Sequence, residues 1–175
     1  SRYGAVELWN GVTWQQIGAS TTLASGSGPI PGTVEAVGWA FGRFWVAGTF
    51  THMNGIPIPN SAIWTGQTWQ AAGIPLPMVR SFSLRPNGHL LAAGNGVNSS
   101  SLWNFDGVQW TSLDLDTGSG TVEVASDLPN GDVVGGGSFD RLGTTHTRHL
   151  ARWNGTTWSP FGSGLNARVR KVVVL

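Results

Sequence analysis

The stretch WNGTTW, residues 153–158, places two tryptophans on either side of an Asn-Gly pair. Close variants recur along the chain, and with it they hold eight of the ten tryptophans: WNGVTW at 9–14, WTGQTW at 64–69 and WNFDGVQW at 103–110. An Asn-Gly pair readily adopts the positive φ angles that a tight hairpin turn requires. Each variant therefore predicts a β-hairpin that carries an aromatic pair.

The spacing within the hairpins predicts how the rings lie. A two-residue turn at Asn154-Gly155 would place Trp153 and Trp158 diagonally on one face, about 7–8 Å apart. WNFDGVQW carries two extra residues, so we expect its rings to lie directly opposite one another, Trp103 against Trp110. Because an even insertion preserves side-chain parity, both rings of every hairpin should share a face.

Two other segments recur in fixed order before the hairpins. One is led by valine: TVEAV at 33–37, MVRSF at 78–82, TVEVA at 121–125 and RVRKV at 168–172. The other contains or ends in glycine: FWVAGTF at 44–50, HLLAAG at 89–94 and DVVGGGSF at 132–139. The intervals between the marker valines 34, 79, 122 and 169 are 45, 43 and 47 residues. Such periods are typical of the four-stranded blade of a β-propeller.

The pattern predicts an all-β fold, namely a propeller, or a section of one, over residues 1–175. It would be built of antiparallel four-stranded blades at about 32–73, 77–113 and 120–161, with partial blades at 1–18 and 167–175. We expect the partial blades to be completed by the rest of a longer chain, by another copy or by another protein partner. No segment shows convincing helical periodicity.

Turn residues support the strand prediction. LRPNGHLL at 84–91 and LPNGDVV at 128–134 each place Asn-Gly between apolar residues, which predicts two-residue type I′ turns. FGR at 41–43 occupies the corresponding place in the first repeat.

Composition excludes several classes of function. Charged residues make up 11% of the 175 residues and the formal net charge is +1, so nothing indicates nucleic acid as a partner. The chain has no cysteine, which excludes disulfides and thiolate sites. It has no run of 18 apolar residues, so we predict no membrane insertion.

The order LPNGDVVGG, a variable loop and then LARWNGTTWSPFGSG resembles the kelch-like β-propeller repeat. It is similar above all to the WNGxxW repeats of secreted and cell-surface proteins, which include fungal Rax2-type cortical polarity markers. The resemblance implies binding, adhesion or assembly at the cell surface or outside the cell. Copper oxidases of kelch type need a Tyr/Cys/His site, and this chain has no cysteine.

The tryptophans admit two interpretations. The paired rings fill the space between neighbouring blades, or they form a row of platforms for sugars, because an indole has a large apolar face and a polar N–H. Trp39 and Trp45 lie outside the hairpins, which makes them the better candidates for a ligand contact or else additional core residues.

A charged residue follows each marker valine: Glu35, Arg80, Glu123 and Arg170. The first strand of a blade lines the central channel, so these residues predict a polar ring with Glu35–Arg80 and Glu123–Arg170 pairs.

Metal and catalytic motifs are weak. DLDTGSG at 114–120 lacks the later bidentate acid of a calcium loop, and His146 and His149 near Asp140 lie in a loop where histidine is common. The chain has no G-x-S-x-G, phosphate-loop or H-E-x-x-H motif. We therefore predict a non-enzymatic binding, adhesion or assembly module without cofactor or metal, and as an alternative a carbohydrate-binding propeller.

Overall fold

The computed structural model describes residues 5–24, 28–97, 100–113 and 120–174. The described residues are all strand, turn and irregular structure with no helix, so the all-β prediction is confirmed. Among them there is accordingly no helix that could cross a membrane. The chain divides into two compact units, Ser1–Gly73 and Ile74–Leu175.

Nine strands lie in the described part of the first unit: β1 Ala5–Trp9, β2 Trp14–Ala24, β3 Gly28–Pro31, β4 Thr33–Ala40, β5 Arg43–Thr49, β6 His52–Met53, β7 Ile56–Pro57, β8 Ser61–Trp64 and β9 Trp69–Ala71. Strands β4, β5, β8 and β9 pair in that order as one antiparallel sheet. Strand β1 pairs with β2, which also pairs with β3 and with the short β6–β7 hairpin. The predicted hairpin at 1–18 is thus part of a five-stranded sheet.

The second unit has ten strands outside the gaps at 98–99, 114–119 and 175: β10 Met78–Leu84, β11 Leu90–Val97, β12 Ser100–Phe105, β13 Trp110–Ser112, β14 Thr121–Asp127, β15 Val133–Ser138, β16 Arg141–Leu142, β17 Thr145–His146, β18 Leu150–Trp153 and β19 Trp158–Pro160. Strands β10 to β13 pair in chain order, and so do β14, β15, β18 and β19. Over the described residues, the strand ladders of the two sets are joined at the residue pair Gly94–Val122.

Each unit has its own apolar core. In the first unit the core includes Val46, Phe50, Met53 and Trp69, and in the second it includes Val122, Phe139, Leu142 and Trp158. The middle strands β5, β8, β11 and β15 are buried on both faces over most of their length. This explains why the glycine-containing segments show near-continuous apolar runs.

The three valine-led strands share a β-bulge. In β14 Val122 pairs with Gly137 and Val124 with Gly136, which leaves Glu123 as the extra residue. The same shift leaves Glu35 extra in β4 and Arg80 extra in β10. The charged residue after each marker valine is therefore the bulged residue of its strand.

The turns at Asn87-Gly88 and Asn130-Gly131 differ from the prediction. The Arg85 N–H donates to His89 O at 2.9 Å and the Gly88 N–H donates to Arg85 O at 2.9 Å, which closes a three-residue loop. Only the glycine has positive φ, +83° at Gly88 and +87° at Gly131. Proline fixes φ near −65° at the first loop position, so the chain forms a type I turn followed by a left-handed glycine. By contrast, Phe41 and Gly42 both have positive φ in the two-residue turn of the first repeat.

The predicted strand at 167–175 is wrong over its described part. Residues 167–174 are not in a strand, and one backbone bond there, from Val169 N–H to Gly137 O at 3.0 Å, is equivalent to the contact of Val122 with Gly94. A strand requires a ladder of such bonds, and an apolar sequence alone does not supply one.

Candidate functional site

The four hairpins share one turn, which is longer than predicted. In WNGTTW the Asn154 N–H donates to Thr157 O at 3.2 Å, so four residues separate the rings. The Asn154 side-chain oxygen accepts from the N–H groups of Thr156 and Thr157 at 3.0 and 2.9 Å. Asn10, Thr65 and Asp106 make the same kind of turn in the other hairpins. The glycine that follows has φ between +96° and +104° in all four: Gly11, Gly66, Gly107 and Gly155.

This turn corrects the predicted diagonal arrangement. Trp153 pairs directly with Trp158, and Trp9 with Trp14 and Trp64 with Trp69 do likewise. The centroids of these ring pairs are 5.3–5.5 Å apart and the planes are tilted by 44–48°. Such tilted pairs stabilise a hairpin beyond the area that they bury.

The register predicted for WNFDGVQW is also wrong. Phe105, and not Trp103, faces Trp110, at a centroid distance of 4.9 Å, while Trp103 pairs with Ser112. The side chain of Asp106 accepts from the Val108 and Gln109 N–H groups at 2.8 Å each, and this fixes the turn. FDGVQW is therefore the same six-residue motif with phenylalanine at its first position, and it has no insertion.

These backbone donors act on the charge of Asp106. The N–H groups of Gln109 and Val108 stabilise the carboxylate and hold the pKa of Asp106 below its usual value. The turn of this hairpin therefore favours the charged form of its acceptor, while asparagine or threonine supplies a neutral acceptor in the other three.

The second tryptophan of a hairpin packs against a neighbouring strand. Trp69 is 3% exposed and its Nε1–H donates to Ile17 O at 2.8 Å. Trp158 is 8% exposed and its Nε1–H donates to Leu113 O at 2.7 Å. Each acceptor lies three residues after the second tryptophan of an earlier hairpin, Trp14 or Trp110. In these two places the ring joins one strand set to the preceding one.

The hairpin at 9–14 has no such cover. Trp14 is 66% exposed, although it occupies the position of Trp69 and Trp158. Trp9 is exposed beside it and Val12 is exposed in the turn, whereas Leu8 is exposed on the opposite face of the strand. We call Trp9, Val12 and Trp14 the hairpin-1 patch. Contiguous apolar patches of this kind on a protein surface are typical of interaction sites.

The structure separates the two tryptophans outside the hairpins. Trp45 is 2% exposed in β5 and its Nε1–H donates to Ala40 O at 3.1 Å, so it is a core residue and cannot serve as a surface platform. Trp39 is 58% exposed on β4, and Val37, two residues earlier on the same side of the strand, is exposed as well.

One of the two predicted charge pairs is replaced by another. Glu123 accepts from Arg168 Nε at 2.7 Å, whereas Arg170, its predicted partner, is exposed. The backbone at 167–174 runs irregularly, and this brings the residue before Val169 to the carboxylate instead of the residue after it. Glu35 and Arg80 are exposed on their bulges, and their pairing and the polar ring remain predictions.

Other charged groups serve the second unit. Arg85 Nε donates to Asp127 at 2.9 Å and Arg85 Nη1 donates to Asn104 at 3.2 Å. Arg152 pairs with Asp132.

Within the described ranges no three His, Asp or Glu side chains come together as metal ligands, and this includes the loop with Asp140, His146 and His149. The calcium-like segment 114–119 lies outside those ranges.

A loop that the sequence pattern missed recurs in both units. Residues 50–61 and 139–150 make equivalent backbone bonds: Asn60 N–H donates to Phe50 O and His149 N–H donates to Phe139 O, both at 2.9 Å. Asn60 and His149 share a positive φ of +63° and +66°. The signal in the sequence is a phenylalanine fourteen residues before the first tryptophan, Phe50 before Trp64 and Phe139 before Trp153.

No protein-family model and no curated protein sequence matches this chain. The resemblance to kelch-like repeats therefore rests on the residues of the repeat itself, and the interaction surfaces are assigned from geometry.

Proposed function

We propose that this protein is a non-enzymatic assembly module of an extracellular or cell-surface propeller, and that the hairpin-1 patch is its attachment surface. The observation that carries the proposal is the contrast between Trp14 and two of its three counterparts; the third, Trp110, is half-buried. Trp69 and Trp158 are buried and donate their N–H to a neighbouring backbone carbonyl, whereas Trp14 is exposed. The resemblance to repeats of secreted proteins supports the location.

The surface that Trp14 would meet follows from the two buried examples. Each covering residue, Ile17 or Leu113, lies three residues after the second tryptophan of its own hairpin and offers its carbonyl oxygen. In the last hairpin the residue at this position is Phe161, which is 41% exposed. Its N–H donates to Leu150 O at 3.5 Å, as that of Leu113 donates to Leu102 O at 2.9 Å.

A second copy of the chain therefore offers a complementary surface. Beside Phe161 lies an apolar groove of about 390 Å³ whose lining includes Val134, Leu150, Leu165 and Val169. We propose that Trp14 of one copy packs on Phe161 of another and donates its indole N–H to the Phe161 carbonyl. Such a head-to-tail contact uses two different surfaces, so it builds a ring if the rotation closes.

Sedimentation of the 175-residue chain tests this proposal. We expect wild-type protein to associate as its concentration rises, and Trp14→Ala to weaken association at least about tenfold, because a buried aromatic anchor dominates such interfaces. Phe161→Ala should have a similar effect, whereas Trp39→Ala, another exposed tryptophan, should have none. A wild-type chain that stays monomeric at high concentration contradicts the proposed contact with a second copy. Unchanged association of Trp14→Ala contradicts the proposal that the hairpin-1 patch is the attachment surface.

A second function, carbohydrate binding, is favoured by the exposed face of Trp39 beside Val37. An exposed indole stacks on the apolar face of a sugar ring. We expect at least one glycan that wild-type protein binds on an array to lose its binding in Trp39→Ala and to keep it in Trp14→Ala. No bound glycan, or an array on which Trp39→Ala weakens the binding of none, would exclude this platform.

A further inference from the structure

The last hairpin borders a cavity in the second unit. Its volume is about 550 Å³, which is within the range of small-ligand sites. One wall is formed by the rings of Trp153 and Trp158, and another by the β16–β17 hairpin with Arg141 and Gly143. Leu113, whose carbonyl accepts the indole N–H of Trp158, lies at its edge.

The first unit has a side chain where the second has none. In the β6–β7 hairpin, Asn54 reaches back to β2: its Oδ1 accepts from Ala19 N–H at 2.9 Å and its Nδ2 donates to Ile17 O at 3.3 Å. The repeated loop places Gly143 at the position of Asn54, and Leu113 corresponds to Ile17. The second unit therefore lacks the amide that, in the first, lies beside the buried indole.

The surroundings of Gly143 would accommodate the asparagine side chain that position 54 carries. Its φ is +58° and that of Asn54 is +51°, a left-handed conformation that asparagine tolerates. A Cβ built on Gly143 meets no atom within 4 Å. Neither the backbone conformation nor the packing therefore excludes an asparagine here, and the missing side chain leaves open space.

The cavity is rich in hydrogen-bond acceptors. Thr145 lines it and donates its hydroxyl hydrogen to Trp158 O at 3.0 Å. Thr156 and Thr157 line it too, and both donate theirs to the Asn154 side-chain oxygen, at 3.0 and 3.4 Å. A hydroxyl that has given its hydrogen away still accepts through its oxygen, so these groups favour a ligand with many O–H donors.

Apolar and polar walls together define the ligand class. The indole of Trp153, half-buried at the cavity, offers a flat apolar face, and the threonine oxygens offer acceptors. A pyranose ring has one apolar face of C–H groups and a periphery of O–H donors. We propose that this cavity binds a pyranose sugar, with one face stacked on the indole of Trp153 and its hydroxyls bonded to the threonines. The described lining contains no acidic residue that would favour a cationic ligand.

Gly143→Asn is the sharpest test, because it restores in the second unit the residue that the first already has. The probes are methyl glucoside, methyl galactoside, methyl mannoside and N-acetylglucosamine at millimolar concentration. We expect saturation-transfer NMR on wild-type protein to detect at least one of them and its addition to shift the Trp153 indole signal. In Gly143→Asn the association constant should fall at least about tenfold.

Gly162→Asn is the matched control. Gly162 has φ +64°, a Cβ there would meet no atom within 4 Å, and it is exposed outside this cavity. The control should bind like wild type. If Gly143→Asn does not fold, Trp153→Phe replaces it, since Phe105 already occupies that position in another hairpin, and binding should weaken severalfold.

Two results overturn the proposal: no transfer from any of the four probes to wild-type protein, or equal binding by wild type and the folded cavity variants. Neither result bears on assembly, which depends on Trp14 and is measured without sugar. Conversely, a chain that never associates can still bind a pyranose here, so the two proposals fail separately.

Discussion

Replacing Gly137 by alanine should lower the free energy of unfolding of the second unit by about 3 kcal/mol or more, at or above the upper end for overpacking a core. A Cβ on Gly137 would run into the carbonyl oxygen of Thr121 across the β-bulge. The backbone cannot retreat cheaply, because the Gly137 N–H donates to His149 O and its carbonyl accepts from Val169 N–H, both at 3.0 Å. Guanidinium unfolding followed by tryptophan fluorescence measures the loss.

The neighbouring glycine is the control. A Cβ on Gly136 would lie 2.6 Å from Cγ1 of Val169, a half-buried side chain that can move. The equivalent positions in the other repeats already hold alanine, Ala47 and Ala93. We expect Gly136→Ala to lower the free energy of unfolding by less than about 1 kcal/mol, because a movement of the Val169 side chain relieves the overpacking. Equal losses for the two variants would show that the bulge does not determine the requirement for glycine.

The glycine rule explains what the sequence could predict. Gly48, Gly94 and Gly137 each pack under a carbonyl oxygen of the paired valine-led strand, so a Cβ is excluded at the same place in all three repeats. Because of this steric requirement, glycine recurs at the same place in each repeat. The recurring pattern is what allows the strand order and the all-β fold to be predicted from the sequence. Within the run of three glycines at 135–137, Gly137 is obligatory and its neighbour Gly136 is replaceable.

The pairing register within a hairpin was harder to predict from the sequence than the strand order. The letters WNFDGVQW suggest a matched tryptophan pair, yet Asp106 fixes the turn through two N–H bonds and pairs Phe105 with Trp110. A turn is chosen by its own hydrogen bonds, and the ring pairing follows from it. In the same way Pro86 decides the loop at Asn87-Gly88, where the Asn-Gly pair alone indicates a shorter turn.

The candidate surfaces were harder to predict because exposure is a property of packing. Trp39 and Trp45 both lie outside the tryptophan hairpins, and their neighbours in the sequence do not show which of the two is buried. The structure shows that Trp39 is exposed and Trp45 is buried. The cavity at Gly143 becomes visible only when its loop is compared with the loop of Asn54, and the two share few identical residues. Both surfaces that we propose are copies of a repeated position that lack their usual partner.

Trp69→Ala should destabilise the first unit by about 3–5 kcal/mol, the range for removing a buried aromatic side chain. The ring is 3% exposed, its N–H donates to Ile17 O, and Trp64 packs on it at 5.3 Å. Gly18 lies so close that a Cβ there would be 2.7 Å from Nε1, so the ring fills its site completely. Trp69→Phe keeps much of the volume but leaves the Ile17 carbonyl without the indole, and it should cost about 1–2 kcal/mol.

Trp14→Ala is the matched variant, since it removes the same residue from the same position of a hairpin whose outer face is bare. Measured on dilute, monomeric protein, it should cost less than about 1 kcal/mol, mainly the lost contact with Trp9. The difference between the two alanine variants then measures what the covering strand contributes to a hairpin. Equal losses at low concentration would mean that Trp14 is already covered in the free chain, and an attachment surface would have to be sought elsewhere.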